Sequence, residues 1–318
     1  YLSGSFFFLV LAFFAFKPDK NNDINFNFFN LLLWISSLVF FLIAFLDFDE
    51  FQGIKNKLLK IWSQKELKIK ITPWMILLFI SIIFVLFFRF YRLNEVLGEM
   101  FSDHAEKLLD VNDILLGKYP VFFIRNTGRE FLQFYWTVLI LKIFKTGISF
   151  MSLKIGTAIA GFLTLPFIYL LGKELRNKWV GLFAFVLAGI GYWPNVNARV
   201  GLRFPFYALF AAPAIYFLIR AIRSGRKNDF IYSGIAVGLG LHGYSPFRIL
   251  PILLIFIIVI FFLHKSSHKI RNQVINGFLL LIITSFIVFL PLFKFSLVNP
   301  EQVAYRSMTR LTSQEKEI

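Results

Sequence analysis

The sequence contains no cysteine and only 4 histidines. Without cysteine, disulfide bonds and thiolate metal sites are excluded. So few histidines give weak support for any metal site, and we expect no cofactor, a divalent metal being unsupported. Walker A and G-x-S-x-G motifs are also absent, so the sequence lacks the phosphate loop of P-loop NTPases and the nucleophile elbow of α/β-hydrolases.

Apolar residues dominate the chain: 58% of its residues are hydrophobic, and 44 of them are phenylalanine. Several apolar runs approach the roughly 20 helical residues that cross the ~30 Å hydrocarbon core of a bilayer. The pattern predicts an all-α polytopic membrane protein. The expected spans are residues 2–16, 29–46, 73–92, 150–172, 179–198, 204–222, 230–247, 249–263 and 274–294.

The net charge of +16 is compatible with binding to nucleic acid or to a membrane surface. Many of the basic residues lie in short loops between apolar runs, where they orient helices and contact anionic lipid headgroups. We therefore expect the lipid bilayer as the partner of this charge, and no nucleic acid.

A lysine-rich segment between Lys55 and Lys70 gives the strongest orientation signal, and the positive-inside rule places it in the cytoplasm. It divides the chain into an N-terminal part, residues 1–72, with two spans and this basic linker, and a core at residues 73–318. Because the chain starts without Met and ends in a polar segment, we expect a fragment of a longer protein. The span at 73–92 then runs outward.

The apolar run at 131–146 allows two topologies. As a span, it would place several basic loops outside, whereas as a helix along the outer membrane surface it leaves every short basic loop cytoplasmic. The run is short for a span and contains Gln133 and Lys142. We therefore predict an external juxtamembrane helix. The outer segments then hold the acids, histidine and aromatics, as expected for an enzyme that acts on the outer face.

The first outer segment begins with M-F-S-D-H-A-E-K-L-L. A helix over residues 103–116 would present its leucines on one face, which is typical of an interfacial helix. Asp103 and Glu106 have the spacing of a capping box, in which Asp103 accepts backbone N–H bonds. Alternatively, Asp103 acts as a general base. The sequence leaves both interpretations open.

A second outer carboxylate, Glu130, follows Arg129 in a turn-rich segment. Such acids can deprotonate or orient an acceptor hydroxyl or amine, while nearby arginines can bind a phosphate. The alternatives are a surface ion pair for Glu130 and contacts with lipid headgroups for the arginines. For His242 the alternative to a metal ligand or proton carrier is an ordinary hydrogen-bonded histidine.

The order of these segments resembles the GT-C glycosyltransferases. An Asp after the first core span, a helix ending in L-L-G-K-Y-P, then G-R-E and an aromatic helix are similar to the protein O-mannosyltransferase-like branch. That branch includes bacterial aminoarabinose transferases and RgtA-to-D-like enzymes. The later segments G-Y-W-P-N-V-N-A-R-V-G-L-R and G-L-G-L-H-G-Y-S-P-F-R agree in order and spacing. The resemblance covers roughly residues 73–310.

The resemblance implies a GT-C type transmembrane helical bundle with external juxtamembrane helices in the first outer loop. It implies a polyprenyl-phosphate-linked sugar donor, and transfer to a glycan, lipid or protein acceptor outside the plasma membrane, usually with inversion. It assigns the catalytic carboxylates of the outer loop to Asp103 and Glu130. The expected substrate-binding residues are His104, Glu106, Arg129, Arg199, Arg203, His242, Tyr244 and Arg248.

Two positions depart from the family pattern. Relatives carry Asp-Glu where this chain has Asp103 and His104, so the second acid is missing unless Glu106 substitutes for it. Many relatives also carry an acid where Arg203 stands, which favours phosphate binding by Arg199 or Arg203 over a metal. A non-catalytic scaffold, a transporter, and a flippase or ligase of lipid-linked glycans are the alternative functions. Charges gathered at span ends argue against a transporter.

Overall fold

A computed structural model of the chain describes residues 1–49, 70–96, 98–263 and 268–305, together with residues 52, 53, 56, 59 and 62. Most of the lysine-rich linker that sets the predicted orientation lies outside the described residues, as does the C-terminal tail from residue 306.

The described residues form a helical bundle with one two-stranded sheet. The helices are α1 (Leu2–Ala15), α2 (Phe28–Phe45), α3 (Pro73–Phe90), α4 (Ser102–Leu115), α5 (Leu132–Phe144), α6 (Phe150–Leu175), α7 (Lys178–Ile190), α8 (Tyr192–Arg199), α9 (Phe204–Ser224), α10 (Lys227–Gly240), α11 (Leu250–Leu263) and α12 (His268–Val298), with a 3-10 helix at Ser245–Ile249. Within the described ranges, 6 helices are long and apolar enough to cross a membrane, or 7 if α7 and α8 form one broken span. The predicted fold class, an all-α polytopic membrane protein, is confirmed.

Helix starts follow the local sequence. Asn27 caps α2 in a reciprocal pair with Asn30, each amide oxygen accepting a backbone N–H at 2.9 Å. Thr72 caps α3 just before Pro73, and Asn177 caps α7. These signals explain why the predicted starts of the corresponding spans lie within two residues of the observed ones.

The predicted span at 179–198 is wrong as a single helix. It is broken at Gly191 into α7 and α8, which meet at a bend of 54°. Pro194 explains the break, because it lacks an N–H and its ring would clash with the carbonyl of Ile190 if α7 continued. The break turns α8 out of line at one end of the span.

The predicted span at 230–247 also ends earlier than expected. Helix α10 stops at Gly240, the chain turns, and the 3-10 helix begins at Ser245. The ring of Phe247 occupies the place where a side chain on Gly240 would stand, 2.1 Å from an ideal Cβ. Pro246 cannot donate to a continuing helix, so the turn is built into the sequence.

Close contacts between helices hold the core together. Helix α10 packs against α9 and α12, and a Cβ on Gly234 would lie 2.6 Å from the carbonyl oxygen of Leu281. Small residues let membrane helices approach this closely. The N-terminal pair α1 and α2 is joined by reciprocal Ser5 and Ser37 hydroxyl bonds of 2.9 and 3.0 Å, and Trp34 ties it to α12 through a 2.7 Å bond to the Ile287 carbonyl.

The segment between α3 and α6 contains two of the predicted helices. Helix α4 leaves Leu109 and Leu115 exposed, at 53% and 40%, and its buried face includes the polar residues His104, Lys107 and Asp110. Helix α5 is 13 residues long, too short to cross a bilayer, as expected for a juxtamembrane helix. Between them, β1 (Phe122–Phe123) and β2 (Arg129–Glu130) form an antiparallel hairpin.

Candidate active site

Arg129 gathers the carboxylates of α4. Asp103, Glu106 and Asp110 lie at spacings of three, four and seven residues, which places them on one face of the helix. An Arg129 nitrogen lies 2.7 Å from Glu106, 3.7 Å from Asp103 and 3.6 Å from Asp110. The Arg129 side chain is 1% exposed, so one buried guanidinium contacts these three carboxylates.

Asp103 is the most accessible carboxylate of this group, with 44% of its side chain exposed. Its Oδ1 accepts a short hydrogen bond from the amide of Asn126. Asn126 and Thr127 both have positive φ, at 47° and 61°, and Gly128 follows at 82°. A side chain on Gly128 would also collide with the Phe122 ring, so the hairpin turn that presents Asn126 requires glycine there.

Of the two interpretations of Asp103, the capping box with Glu106 is wrong. Helix α4 starts at Ser102, one residue earlier than expected, so Asp103 lies inside the first turn. Its side chain turns to Asn126, and that of Glu106 turns to Arg129. Asp103 is therefore held by tertiary contacts, and its carboxylate is directed toward the hairpin.

His104 is buried, at 1% exposure, behind Asp103. Its Nδ1 accepts from the Phe101 N–H at 3.3 Å, so its Nε2 carries the proton and donates to the Val200 carbonyl at 2.6 Å. Burial lowers the pKa of His104, which keeps it neutral at pH 7. His104 thus ties α4 to the end of α8, and both of its ring nitrogens are hydrogen-bonded within the protein. Its predicted contact with the substrate stays a prediction.

Glu130 lies on the opposite face of β2 from Arg129, because side chains alternate along a strand. It is completely buried, and its carboxylate accepts from Arg203 at 2.6 Å, Arg248 at 3.0 Å and Ser245 at 3.1 Å. Burial raises the pKa of Glu130, but the two guanidinium groups outweigh it and hold the pKa below its usual value. Glu130 is thus a buried anion that organises two arginines.

Glu130, Arg203 and Arg248 form a buried ion cluster, and Tyr244 and His242 lie next to it. Tyr244 lies beside Arg203, with the guanidinium carbon 5.6 Å from the ring centre. Arg248 also donates to the Val303 carbonyl at 2.8 Å. His242 is fully buried and bonded through Nε2 to the Val288 carbonyl at 3.0 Å, which matches the ordinary hydrogen-bonded histidine of the alternative interpretation.

Arg199 lies outside both groups, the acids of α4 around Arg129 and the ion cluster around Glu130. Its guanidinium donates to the carbonyl oxygens of Phe88, at 3.1 Å, and Tyr91, at 2.6 Å, which closes the C-terminal end of α3. The structure therefore separates Arg199 from Arg203, although the sequence places them one helical turn apart. The kink after α8, at Gly201 with φ of 78°, turns the two side chains to different neighbours.

Sequence reasoning missed Arg89. This residue lies in the last turn of α3, is 1% exposed, and donates to the Pro194 carbonyl at 2.7 Å. It lines a largely apolar cavity of about 330 Å³ among α3, α6, α7, α8 and α9. An arginine inside an apolar run was the available signal, because such a residue is costly in a span unless it faces a partner or a cavity.

No group of three or more acidic or histidine side chains suited to a metal occurs in the part of the chain that the structure describes. The carboxylates of α4 each turn to a basic or amide partner.

Comparison with known families assigns the fold. A family model described as dolichyl-phosphate-mannose-protein mannosyltransferase matches residues 130–293, which is half of the chain. The chain belongs to this family. It is accordingly a multi-pass membrane glycosyltransferase of the GT-C kind. Neither curated proteins nor solved structures gave a match.

The mannosyltransferase-family match divides the candidate site. It begins at Glu130 and includes Arg203 and Arg248, so the whole buried ion cluster lies within it. Asp103 and the hairpin turn precede it. The sequence resemblance extends the likeness further, to roughly residue 73, and the role of Asp103 rests on that resemblance and on the geometry of α4.

The burial of Asp110 gives a pH-dependent prediction. Burial raises the pKa of Asp110 to about 6, against bonds from Arg125 that lower it. Because the folded pKa lies above the unfolded one, Asp110 stabilises the fold at low pH, and this stability is lost as the pH rises through about 6. Asp110→Asn should remove on the order of 3 kcal/mol of this pH dependence, measured by thermal unfolding in detergent between about pH 4 and 7.

Asp113 supplies the control with the opposite sign. It is less buried, and its bonds to Arg125 and Lys118 outweigh the effect of burial and lower its pKa. Asp113→Asn should therefore remove stability that is present above about pH 4. Unfolding curves of wild type and Asp110→Asn that stay parallel across this range would contradict the raised pKa of Asp110.

Proposed function

We propose that this protein transfers a sugar from a polyprenyl-phosphate donor to an acceptor on the extracytoplasmic face of the plasma membrane. The observation that carries the proposal is Asp103, an accessible carboxylate at the start of α4, held by Asn126 and beside the buried Arg129. Family membership supports glycosyl transfer, and the exposed leucines of α4 support a site at the membrane surface.

In the proposed reaction, Asp103 takes the proton of an acceptor hydroxyl or amine. The acceptor atom forms a bond to the anomeric carbon as the bond from that carbon to the phosphate oxygen breaks. Polyprenyl phosphate leaves with the bonding electrons. Arg129 and Glu106 orient Asp103, since Arg129 contacts both carboxylates.

The structure suggests a different role for Glu130 from the one the sequence suggests. With its side chain fully buried, Glu130 cannot meet an acceptor without rearrangement. We propose that it is a positioning residue, which holds Arg203 and Arg248 toward the phosphate of the donor. Arg248 retains 28% exposure and is the more accessible of the two.

The apolar cavity beside Arg89 is the proposed place for the donor lipid. It lies between helices that face the bilayer, so a lipid can enter laterally, and Trp193 at its rim is 69% exposed. Ala198, which lines the cavity, lies two residues before Val200, whose carbonyl accepts from His104. The donor would thus approach Asp103 past the end of α8, which the bond from His104 to the Val200 carbonyl holds against α4.

The test is transfer in proteoliposomes that contain the full chain and radiolabelled polyprenyl-phosphate sugars, with nucleotide sugars as the comparison donor. Incorporation of label from the lipid donor alone is the expected result. The rival transporter function predicts uptake of a substrate into the vesicles without any new glycosidic bond. Transfer of label from nucleotide sugars, and not from the lipid donor, would rule out polyprenyl phosphate as the sugar carrier.

The proposed orientation has its own test. Ser102 and Ser224 are both exposed, and the chain has no native cysteine, so each single-cysteine variant has one thiol whose labelling gives the side of the membrane on which it lies. Ser102→Cys should react with a membrane-impermeant maleimide added to intact cells, and Ser224→Cys only after the cells are opened. Labelling of both from the same side would overturn the orientation.

A further inference from the structure

A second cavity, of about 700 Å³, opens between the loop that joins α1 to α2 and the outer segment after α4. Backbone hydrogen bonds fix its two walls together: Phe26 N–H donates to the Tyr119 carbonyl at 2.6 Å, and Val121 N–H to the Ile24 carbonyl at 2.8 Å. The volume lies within the range of small-molecule sites, roughly 300–1,000 Å³. The cavity is therefore preformed and not a gap between loose loops.

The lining of this cavity is acidic in a strongly basic chain. Four aspartates line it, Asp19, Asp23, Asp110 and Asp113, against one lysine and one arginine. Both bases are already engaged, since Arg125 contacts Asp110 and Asp113, and Lys118 contacts Asp113. The Asp23 carboxylate has no hydrogen-bond or ion-pair partner among the described residues, and burial together with Asp19 raises its pKa.

A buried group in the lining lacks a hydrogen bond. Asp110 is 1% exposed, and within the described residues its Oδ2 has no hydrogen-bond partner, the nearest Arg129 nitrogen being 3.6 Å away. A buried carboxylate oxygen without a hydrogen bond is costly, and a hydroxyl or amine in the cavity would satisfy it. The Asp110 side chain thus marks a place for a donor group of a ligand.

The cavity is connected to the proposed reaction centre. Asp110 lies seven residues after Asp103 on α4, about 10 Å along the helix axis. Arg129 contacts both carboxylates. Every residue that lines the cavity precedes Glu130, where the family match begins, so the N-terminal part of the chain adds this cavity to the family's core.

We propose that this cavity binds a sugar residue of the acceptor that carries no anionic group. The inference rests on the proposed function, since it assigns the acceptor of the same reaction. The carboxylates and the amides of Asn21 and Asn25 can exchange hydrogen bonds with sugar hydroxyls, and the Tyr119 ring, 46% exposed, offers a surface for packing. The four aspartates outnumber the one lysine and one arginine of the lining, and this excess negative charge excludes phosphorylated and uronic-acid sugars, because like charges repel in a partly buried site.

The test is binding of three trisaccharides to the full chain in nanodiscs, by saturation-transfer NMR and calorimetry: neutral mannotriose, the amine-bearing glucosamine trimer, and anionic trigalacturonate. The first two should bind, and trigalacturonate at least about tenfold more weakly. Asp23→Asn should weaken the glucosamine trimer by about tenfold, the loss typical of a hydrogen bond to a charged group. Asn21→Trp, which fills the cavity, should abolish binding of both.

Asp49→Asn is the matched control, an exposed aspartate at the other end of α2, and it should bind as wild type does. Equal binding of trigalacturonate, unchanged affinity in Asp23→Asn and Asn21→Trp, or displacement of the trimers by a serine-rich peptide would overturn the proposal. No lipid donor is present in this measurement. Failure of transfer in proteoliposomes would therefore count against the proposed function and leave the binding result standing.

Discussion

Replacing Asp103 by asparagine should reduce sugar transfer by roughly 10²- to 10⁴-fold, the contribution typical of a general base. Asparagine has nearly the same shape and can still bond to Asn126, but it cannot accept the acceptor's proton. The effect should fall on kcat, because the change removes an interaction made in the transition state. Initial rates of transfer from a radiolabelled polyprenyl-phosphate sugar measure it.

Glu99→Gln is the matched control for this change. Glu99 is an exposed carboxylate in the segment between α3 and α4, four residues before Asp103, and its replacement should leave transfer within about twofold of wild type. Thermal unfolding of Asp103→Asn should stay close to wild type, since 44% of the Asp103 side chain is exposed. Equal transfer by Asp103→Asn and wild type would remove Asp103 from the mechanism.

Local signals made the helices predictable. Apolar length, proline and cap residues act within one or two turns, so the spans at 73–92 and 204–222 differ from the observed helices by two residues at most. The juxtamembrane helix at 131–146 was predicted from the charges of distant loops, because only a helix that does not cross the membrane leaves every short basic loop in the cytoplasm. A 13-residue helix was found there.

The two broken spans show where such reasoning fails. The runs at 179–198 and 230–247 are mostly apolar and contain no acidic or basic residue other than His242. A hydropathy value does not record how proline and glycine bend the backbone. Pro194 and Pro246 were visible in the sequence, but proline is tolerated in membrane helices when neighbours satisfy the freed groups. Only the packed structure shows that the helices end there.

The partners of the site residues were beyond prediction for a different reason. Glu130 meets Arg203 and Arg248, which follow it by 73 and 118 residues. No periodicity connects residues so far apart in sequence. Alternation along β2 separates Arg129 from Glu130, so two neighbouring charges that looked like one cluster belong to two. The sequence identified the charged residues and could not assign them to partners.

Glu130→Ala should lower the free energy of unfolding by about 3–5 kcal/mol, because it leaves buried guanidinium charge without its counterion. Arg203 is 4% exposed in its side chain and would lose its carboxylate partner. Glu174→Ala is the matched control: its partner Arg223 is 48% exposed, so the loss should stay below about 1 kcal/mol. Thermal and chemical unfolding in detergent compare the two.

If Glu130→Ala fails to fold, two further variants keep the prediction testable: Glu130→Gln, and the double change Glu130→Leu with Arg203→Met. The double change removes both charges and should recover part of the stability that Glu130→Ala loses.

Because the folded pKa of Glu130 is lowered, its stabilising effect is present above about pH 4.5 and is lost as the pH falls through the folded pKa. The advantage of wild type over Glu130→Gln should therefore shrink in strong acid. A Glu130→Ala protein as stable as wild type at pH 7 would show that the buried cluster does not depend on this carboxylate, and the proposed positioning of Arg203 and Arg248 would lose its basis.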